Sequence, residues 1–232
     1  MHPFRADKGF RHFTEPIFSD SAHDEFSRLL AAVPAMPEAL LKLEAALEHA
    51  TVDLNGVCAV IRSDLGLALR VLSLGPVPLD PAFNTLEQCV LEVGIASLRT
   101  AGQTTPPLAL SHRNPPLHAD LLGLWHHSKL VAQSAERIAA EGGEVDPDKA
   151  YVAGLLHDVL ALADKLGSTA NLAALFKDKE QIEARRLAQA WKIPSYAIES
   201  IETRGVGFRC VGPVATAVAA AHSQIAAPAG HS

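Results

Sequence analysis

The stretch YVAGLLHDVLALADKLG, residues 151–167, sets His157 directly beside Asp158 within a run whose periodicity reads as one helix. An adjacent imidazole and carboxylate can do chemistry together. They can help to hold a divalent cation whose bound water attacks a phosphate ester. They can also simply hydrogen-bond inside a core. Neighbours on a helix lie about 100° apart, so both side chains can border one pocket beside the stripe Val152, Leu156 and Val159. A metal site needs more nitrogen or oxygen donors than these two, and other helices must supply them.

The rest of the chain reads as helical almost throughout. Met36, Leu40, Leu43 and Leu47 fall on one helical face. Asp64 can cap a segment whose Leu65, Leu69 and Leu72 repeat that spacing. Thr85 with Gln88 makes a capping-box pattern, and Gly94 can end the helix it opens. After a Pro-rich break, HADLLGLWHHSKLVAQSAERIAAEGG carries a buried stripe of Leu124, Ser128, Val131, Ala135 and Ile138, ended by Gly142-Gly143. Asp146 and Pro147 open the helix leading to the His-Asp pair, and Gly167 can close it. DKEQIEARRLAQAW and PSYAIESIETR are two further helices joined around Pro194, and PVATAVAAAHSQIAA, from Pro213, is the last. The expected fold class is all-α.

Composition narrows the function. Hydrophobic residues make up 48% of the 232, but the longest apolar run, from Val211, is far shorter than the roughly 20 residues a membrane helix requires. The N-terminus lacks the apolar region of a secretory signal. Cys58, Cys89 and Cys210 are odd in number and widely spaced, which fits buried thiols in a reducing cytoplasm rather than a disulfide framework. The net charge of −6, with no dense Lys/Arg cluster, argues against a nucleic-acid partner.

Two Pro-Pro pairs in TTPPLALSHRNPP divide the chain. The expected organisation is an arm over residues 1–24, a helical lobe over 25–103, a connection over 104–117 and a second lobe over 118–232. Phe4, Phe10, Phe13 and Phe18 are half of the eight phenylalanines and lie among Arg5, Lys8 and Arg11. Such a segment docks on the body of the protein or on a partner.

The order of motifs resembles the HDOD family, the HD-related output domain of bacterial signalling proteins. The resemblance covers roughly residues 30–225. It runs through VPAMPEALLKLEAAL, VCAVIRSDLGLALRVLSL, NTLEQCVLEVGIASLR, LWHHSKLVA, AGLLHDV and LAQAWKIPSYAIESI in that sequence. It implies an N-terminal helical lobe packed on a degenerate HD-type lobe. HD hydrolases, to which the family is related, bind metal through a histidine, an adjacent His-Asp pair and a distant aspartate. On that pattern His127 takes the first position and His157 and Asp158 match the pair. The distant aspartate is replaced by His222. Asp164 lies too far along the helix from His157 to take its place.

Other departures follow. The lysine that hydrolytic HD proteins often place after the pair is Ala161. Arg204 and Gly205 stand where some HD phosphodiesterases carry histidines, and Ser73-Leu74 replaces an Asn-Ser. The RGVGF segment from Arg204 lacks the strand and lysine of a phosphate loop. His126 is expected on the surface, and Trp125 and Trp191 in the core or between lobes. The remnant set His127, His157, Asp158 and His222 is therefore expected either as an internal hydrogen-bonded group, as a metal site without turnover, or as a working site. No cofactor is expected, and any bound metal would be a divalent iron, manganese or zinc ion. The expected reading is a cytoplasmic, non-enzymatic signalling domain that works as a stand-alone module or acts on domains in other chains, and the resemblance implies an output or adaptor role, binding a signalling protein partner or sensing a ligand. Its surface would be the cleft near Pro106–Pro116 or the aromatic arm. The alternative is a metal-dependent phosphohydrolase or cyclic-nucleotide phosphodiesterase. The sequence leaves the oligomeric state open.

Overall fold

The computed structural model describes residues 20–49, 51–75, 85–108, 114–167, 180–202 and 212–226. The aromatic arm through Phe18, Arg204, Gly205, the rest of RGVGF and Cys210 lie outside the described residues. The fold is all-α. In chain order the helices are α1 (Asp20–Ala32), α2 (Pro37–Glu48), α3 (Leu54–Arg62), α4 (Leu65–Leu74), α5 (Leu86–Thr104), α6 (Pro115–Gly142), α7 (Pro147–Leu156), α8 (Val159–Leu166), α9 (Glu180–Ala190), α10 (Ser195–Glu202) and α11 (Pro213–Ala226). The β-type pairing among the described residues is one isolated bridge, Ala35 with Pro107. No described helix is long and apolar enough to cross a membrane.

The helix starts follow from local chemistry. Asp64 accepts from Leu67 N at 2.9 Å and caps α4. Thr85 and Gln88 form the full capping box of α5. Asp146 accepts from Asp148 N and Pro147 opens α7. Asn114 caps α6, whose first two residues are Pro115 and Pro116. The helix thus begins earlier than the expected start at His118, because proline is well suited to a first turn that has no intrahelical acceptors for its N–H groups. Gly143, in the left-handed region, ends it.

Two expectations are corrected. Gly94 does not end α5 but kinks it, with φ at 75°, and the chain continues helically to Thr104. Residues 151–167 are not one helix, because α7 stops at Leu156 and α8 begins at Val159. His157 and Asp158 form the turn between them.

Helices α2 to α5 pack on one another, and α6, α7, α10 and α11 form a second packed group. Helix α1 packs chiefly on α8 and α9, crossing the expected boundary between arm and first lobe. Trp191 anchors that contact, fully buried, with its indole N–H donating to Phe26 O at 2.9 Å. A continuous core runs through both groups, from Leu43, Ile61 and Leu69 to Val131, Leu156 and Val218. The expected stripe of α6 is buried at Leu124, Ser128, Val131 and Ala135, with Ile138 half-buried at its end.

The two groups meet at α4 and α6. Asp64, which caps α4, also accepts from Met36 N at 2.9 Å and from the Trp125 indole N–H at 3.1 Å. Nearby, Arg62 pairs with Glu136 at 2.5 Å and Asp148 at 3.1 Å. Its guanidinium also lies 3.9 Å above the Tyr151 ring. The start of the Pro-rich connection is held as well, because Ala35 N donates to Pro106 O and Leu108 N to Ala35 O.

Candidate functional site

The turn between α7 and α8 places His157 and Asp158 inside the second group rather than on its surface. Both are buried. Helix α7 can reach this depth because Gly154 lies against the α6 backbone, where a Cβ would come within 2.8 Å of Ala132 Cα. The carbonyl of Gly154 then accepts from His157 Nδ1 at 2.7 Å. This bond puts the proton on Nδ1 and leaves the Nε2 lone pair facing inward.

Helix α6 brings His127 to that lone pair, with the two Nε2 atoms 3.3 Å apart. His127 Nε2 is 3.6 Å from Asp158 Oδ2, and His157 Nε2 is 3.4 Å from Asp158 Oδ1. Helix α11 contributes His222, whose ring centroid lies 5.0 Å from that of His127 and 5.3 Å from that of His157. The ligand atoms of the three histidines all lie within 4.8 Å of one another. The three histidines of the expected set therefore meet, drawn from three separate parts of the second group, and Asp158 lies beside His127 and His157. His126, one residue away, is exposed, and Asp164 is exposed on α8.

Burial pushes the His157 pKa down to about 4, against the opposing pull of Asp158 and the Gly154 hydrogen bond. The neighbouring His127 and His222 add to the lowering. His157 is neutral at neutral pH, which is the form that a metal or an N–H donor can use. The residues fit a small divalent ion. Four donors about 2 Å from one ion lie roughly 3.3 Å apart in a tetrahedral arrangement, and the His127–His157 and His157–Asp158 separations are already near that value. His127, His157, Asp158 and His222 would hold such an ion, and it would supply Lewis acidity at the α7–α8 turn. The Gly154 carbonyl would fix the tautomer of one ligand. Nothing in the sequence spacing announced Gly154 as that orienting group.

Other sequence candidates have separate places. Trp125 is at the junction of the two groups and Trp191 in the core. Cys58 is half-buried and Cys89 buried, and burial raises both thiols above their ordinary range, which disfavours the reactive thiolate. A groove of about 220 Å³ lies far along the sequence from the histidines, between α2 and α5, where Leu40, Leu43, Leu47, Glu44 and Arg99 line it. Leu41 on its rim is strongly exposed.

The fold and the site define an all-helical protein with a buried His/Asp cluster at a helix break. The HDOD domain profile matches residues 33–204, and the chain belongs to the HDOD domain family. Two crystal structures of the MmoQ response regulator from Methylococcus capsulatus strain Bath share the fold. The first aligns at 20% identity with a TM-score of 0.61, over 85% of this chain and 90% of that one. The second, of fragment 20–298, aligns at 20% identity and 0.59, over 85% and 87%. No functionally curated protein matches the sequence significantly.

Proposed function

We propose that this chain is a regulatory domain of bacterial signal transduction, cytoplasmic and without hydrolytic activity of its own, that acts by engaging a signalling protein partner or by sensing a ligand. Membership of the HDOD family supports the signalling role, as does the likeness to a protein named as a response regulator. The observation that carries the non-enzymatic reading is His222. Its ring, on α11, lies 5.3 Å from that of His157, and on the family resemblance it takes the position of the second carboxylate of an HD hydrolase. Exchanging that carboxylate for imidazole removes negative charge that would hold a hard cation and orient its water. Ala161 adds to this, because no ammonium follows the pair to meet a phosphate. The candidate partner or ligand surfaces are the cleft near Pro106–Pro116 and the aromatic arm. The α2–α5 groove, lined by Leu40, Leu43 and Leu47 together with Glu44, Arg99 and Gln103, offers a further place for contact.

A second reading, a metal-dependent phosphohydrolase or cyclic-nucleotide phosphodiesterase, is favoured by one observation. The ligand atoms of His127, His157 and His222 lie within 4.8 Å of one another, and Asp158 is 3.4 Å from His157 and 3.6 Å from His127.

The test is hydrolysis of bis-p-nitrophenyl phosphate and of a cyclic dinucleotide after reconstitution with manganese, iron or zinc. No turnover above the metal-only blank is expected. Turnover that disappears in Asp158→Ala, while the helical circular dichroism stays intact, would establish the second reading instead.

A further inference from the structure

The groove between α2 and α5 joins an apolar floor to an acidic rim. Leu40, Leu43 and Leu47 line it from α2. Gly102 on α5 keeps it open, since a Cβ there would already come 3.4 Å from Leu43 Cδ2. Leu41 is 66% exposed, so apolar surface continues outward from the floor. Glu44 and Glu48 stand one helical turn apart on the same face of α2. Both are exposed, and among the described residues neither makes an ion pair. Arg99, on the facing wall, donates to Leu47 O at the end of α2.

We propose that this groove is the docking site of the chain's own N-terminal segment, residues 1–19, which seats a phenylalanine ring on the leucines and sets the neighbouring arginine against Glu44 and Glu48.

Composition, size and reach all fit that occupant. Over residues 1–13 the cations Arg5, Lys8 and Arg11 face Asp7 as the one acid, and the step Phe-Arg occurs twice, at Phe4-Arg5 and Phe10-Arg11. Each step places an aromatic ring beside a guanidinium that can pair with carboxylates. The groove has a volume of about 220 Å³. A cavity of roughly 150 Å³ accepts benzene, so one phenyl ring fits. From Asp20 to Glu44 the chain spans at most about 18 Å along α1, about 17 Å over residues 33–36 and about 10 Å along α2, roughly 45 Å in all. From Phe4 to Asp20 it reaches roughly 55 Å when extended, which exceeds that bound. The covalent tether also sets the local concentration of the segment near the millimolar range, so contacts of modest strength suffice.

The consequence rests on the regulatory reading, although the docking itself does not. A partner that uses the groove has to displace residues 1–19, which makes the arm and the groove one switchable surface rather than two.

The test is made on the full chain, with benzoylphenylalanine replacing Ala6 or Gly9, beside the Phe-Arg steps but not in them. After irradiation, cross-linked peptides are mapped by mass spectrometry. Isotope-labelled and unlabelled chains are mixed, so that links within a chain are told from links between chains. Links within one chain to residues 37–48 or 98–104 are expected. Glu44→Lys combined with Glu48→Lys, both on exposed side chains, should cut their yield by about threefold or more while the circular dichroism stays native. Adding Arg5→Glu and Arg11→Glu to that variant should restore the yield. Links to other surfaces alone, links between chains, no link at all, or a yield unchanged by the charge reversal would each overturn the proposal. Phosphate-ester turnover would defeat the regulatory reading and leave the docking standing, whereas failed cross-linking would defeat the docking and leave that reading untouched.

Discussion

Asp64 is buried, and loss of solvation pushes its carboxyl above the ordinary range even though Met36 N, Leu67 N and the Trp125 indole all donate to it. The two influences oppose each other, and a substitution can tell which matters more for stability. In Asp64→Asn one oxygen becomes an NH2 group. It would then face Leu67 N, or else Met36 N and Trp125 Nε1, donor against donor. The variant should lose about 2–4 kcal/mol, from the mismatch and the unmade hydrogen bonds. Urea unfolding measures it, and a variant as stable as wild type would mean that desolvation cancels the bonds. The pH dependence carries a sign as well. A raised pKa means the folded chain holds this proton more tightly than the unfolded one. The stability from Asp64 is therefore fullest below 3.8 and falls as pH rises through the raised value. Asp64→Asn should flatten that part of the pH–stability curve.

At the scale of elements, the site depends on how closely α7 lies on α6. A Cβ on Gly154 would meet Ala132 Cα at 2.8 Å, Ala132 N at 3.0 Å and Val131 O at 3.1 Å, all backbone atoms that cannot step aside. Gly154→Ala should therefore push the helices apart and destabilise by about 1–3 kcal/mol, despite the better helix propensity of alanine. Gly142→Ala is the control, because a Cβ there meets nothing within 4 Å. It should be neutral or slightly stabilising in the same thermal unfolding series, and equal losses in both variants would refute the packing argument. These elements also mark the limit of what the sequence could reveal. The apolar stripes and caps were legible because Leu43, Leu69, Val131, Asp64, Thr85 and Asp146 act through local spacing. The break at His157-Asp158 was not, because both residues fit the helical period and burial of the pair is decided by α6 and α11. Gly94 was legible as an interruption, but whether the chain stopped or turned there depended on the packing of α5 against α3 and α4. His222 was placed by family resemblance. Its meeting with His127, 95 positions earlier, is tertiary and leaves no periodic trace.

At the scale of the molecule, Arg62 is a polar link between the two helical groups among the described residues. It sits at the end of α3 and bridges to Glu136 on α6 and Asp148 on α7, stacked over Tyr151. Its side chain is 28% exposed, so water screens the ion pairs and they contribute less than buried ones would. The stacking adds about 0.5–2 kcal/mol where the ring is partly desolvated. Arg62→Ala should therefore cost about 1–2 kcal/mol, and Arg62→Lys should recover less than half, since an ammonium cannot stack and fork together. A double-mutant cycle with Glu136→Gln isolates the link between the groups. A coupling of about 0.5–1 kcal/mol is expected for a partly exposed pair in contact. If the groups unfold as one unit, Arg62→Ala should lower the urea midpoint with no change of slope, since the same surface is exposed at once. A reduced slope, or two transitions, would instead show that Arg62 holds together groups able to unfold separately, and the histidine cluster would then have to be stable within the second group alone.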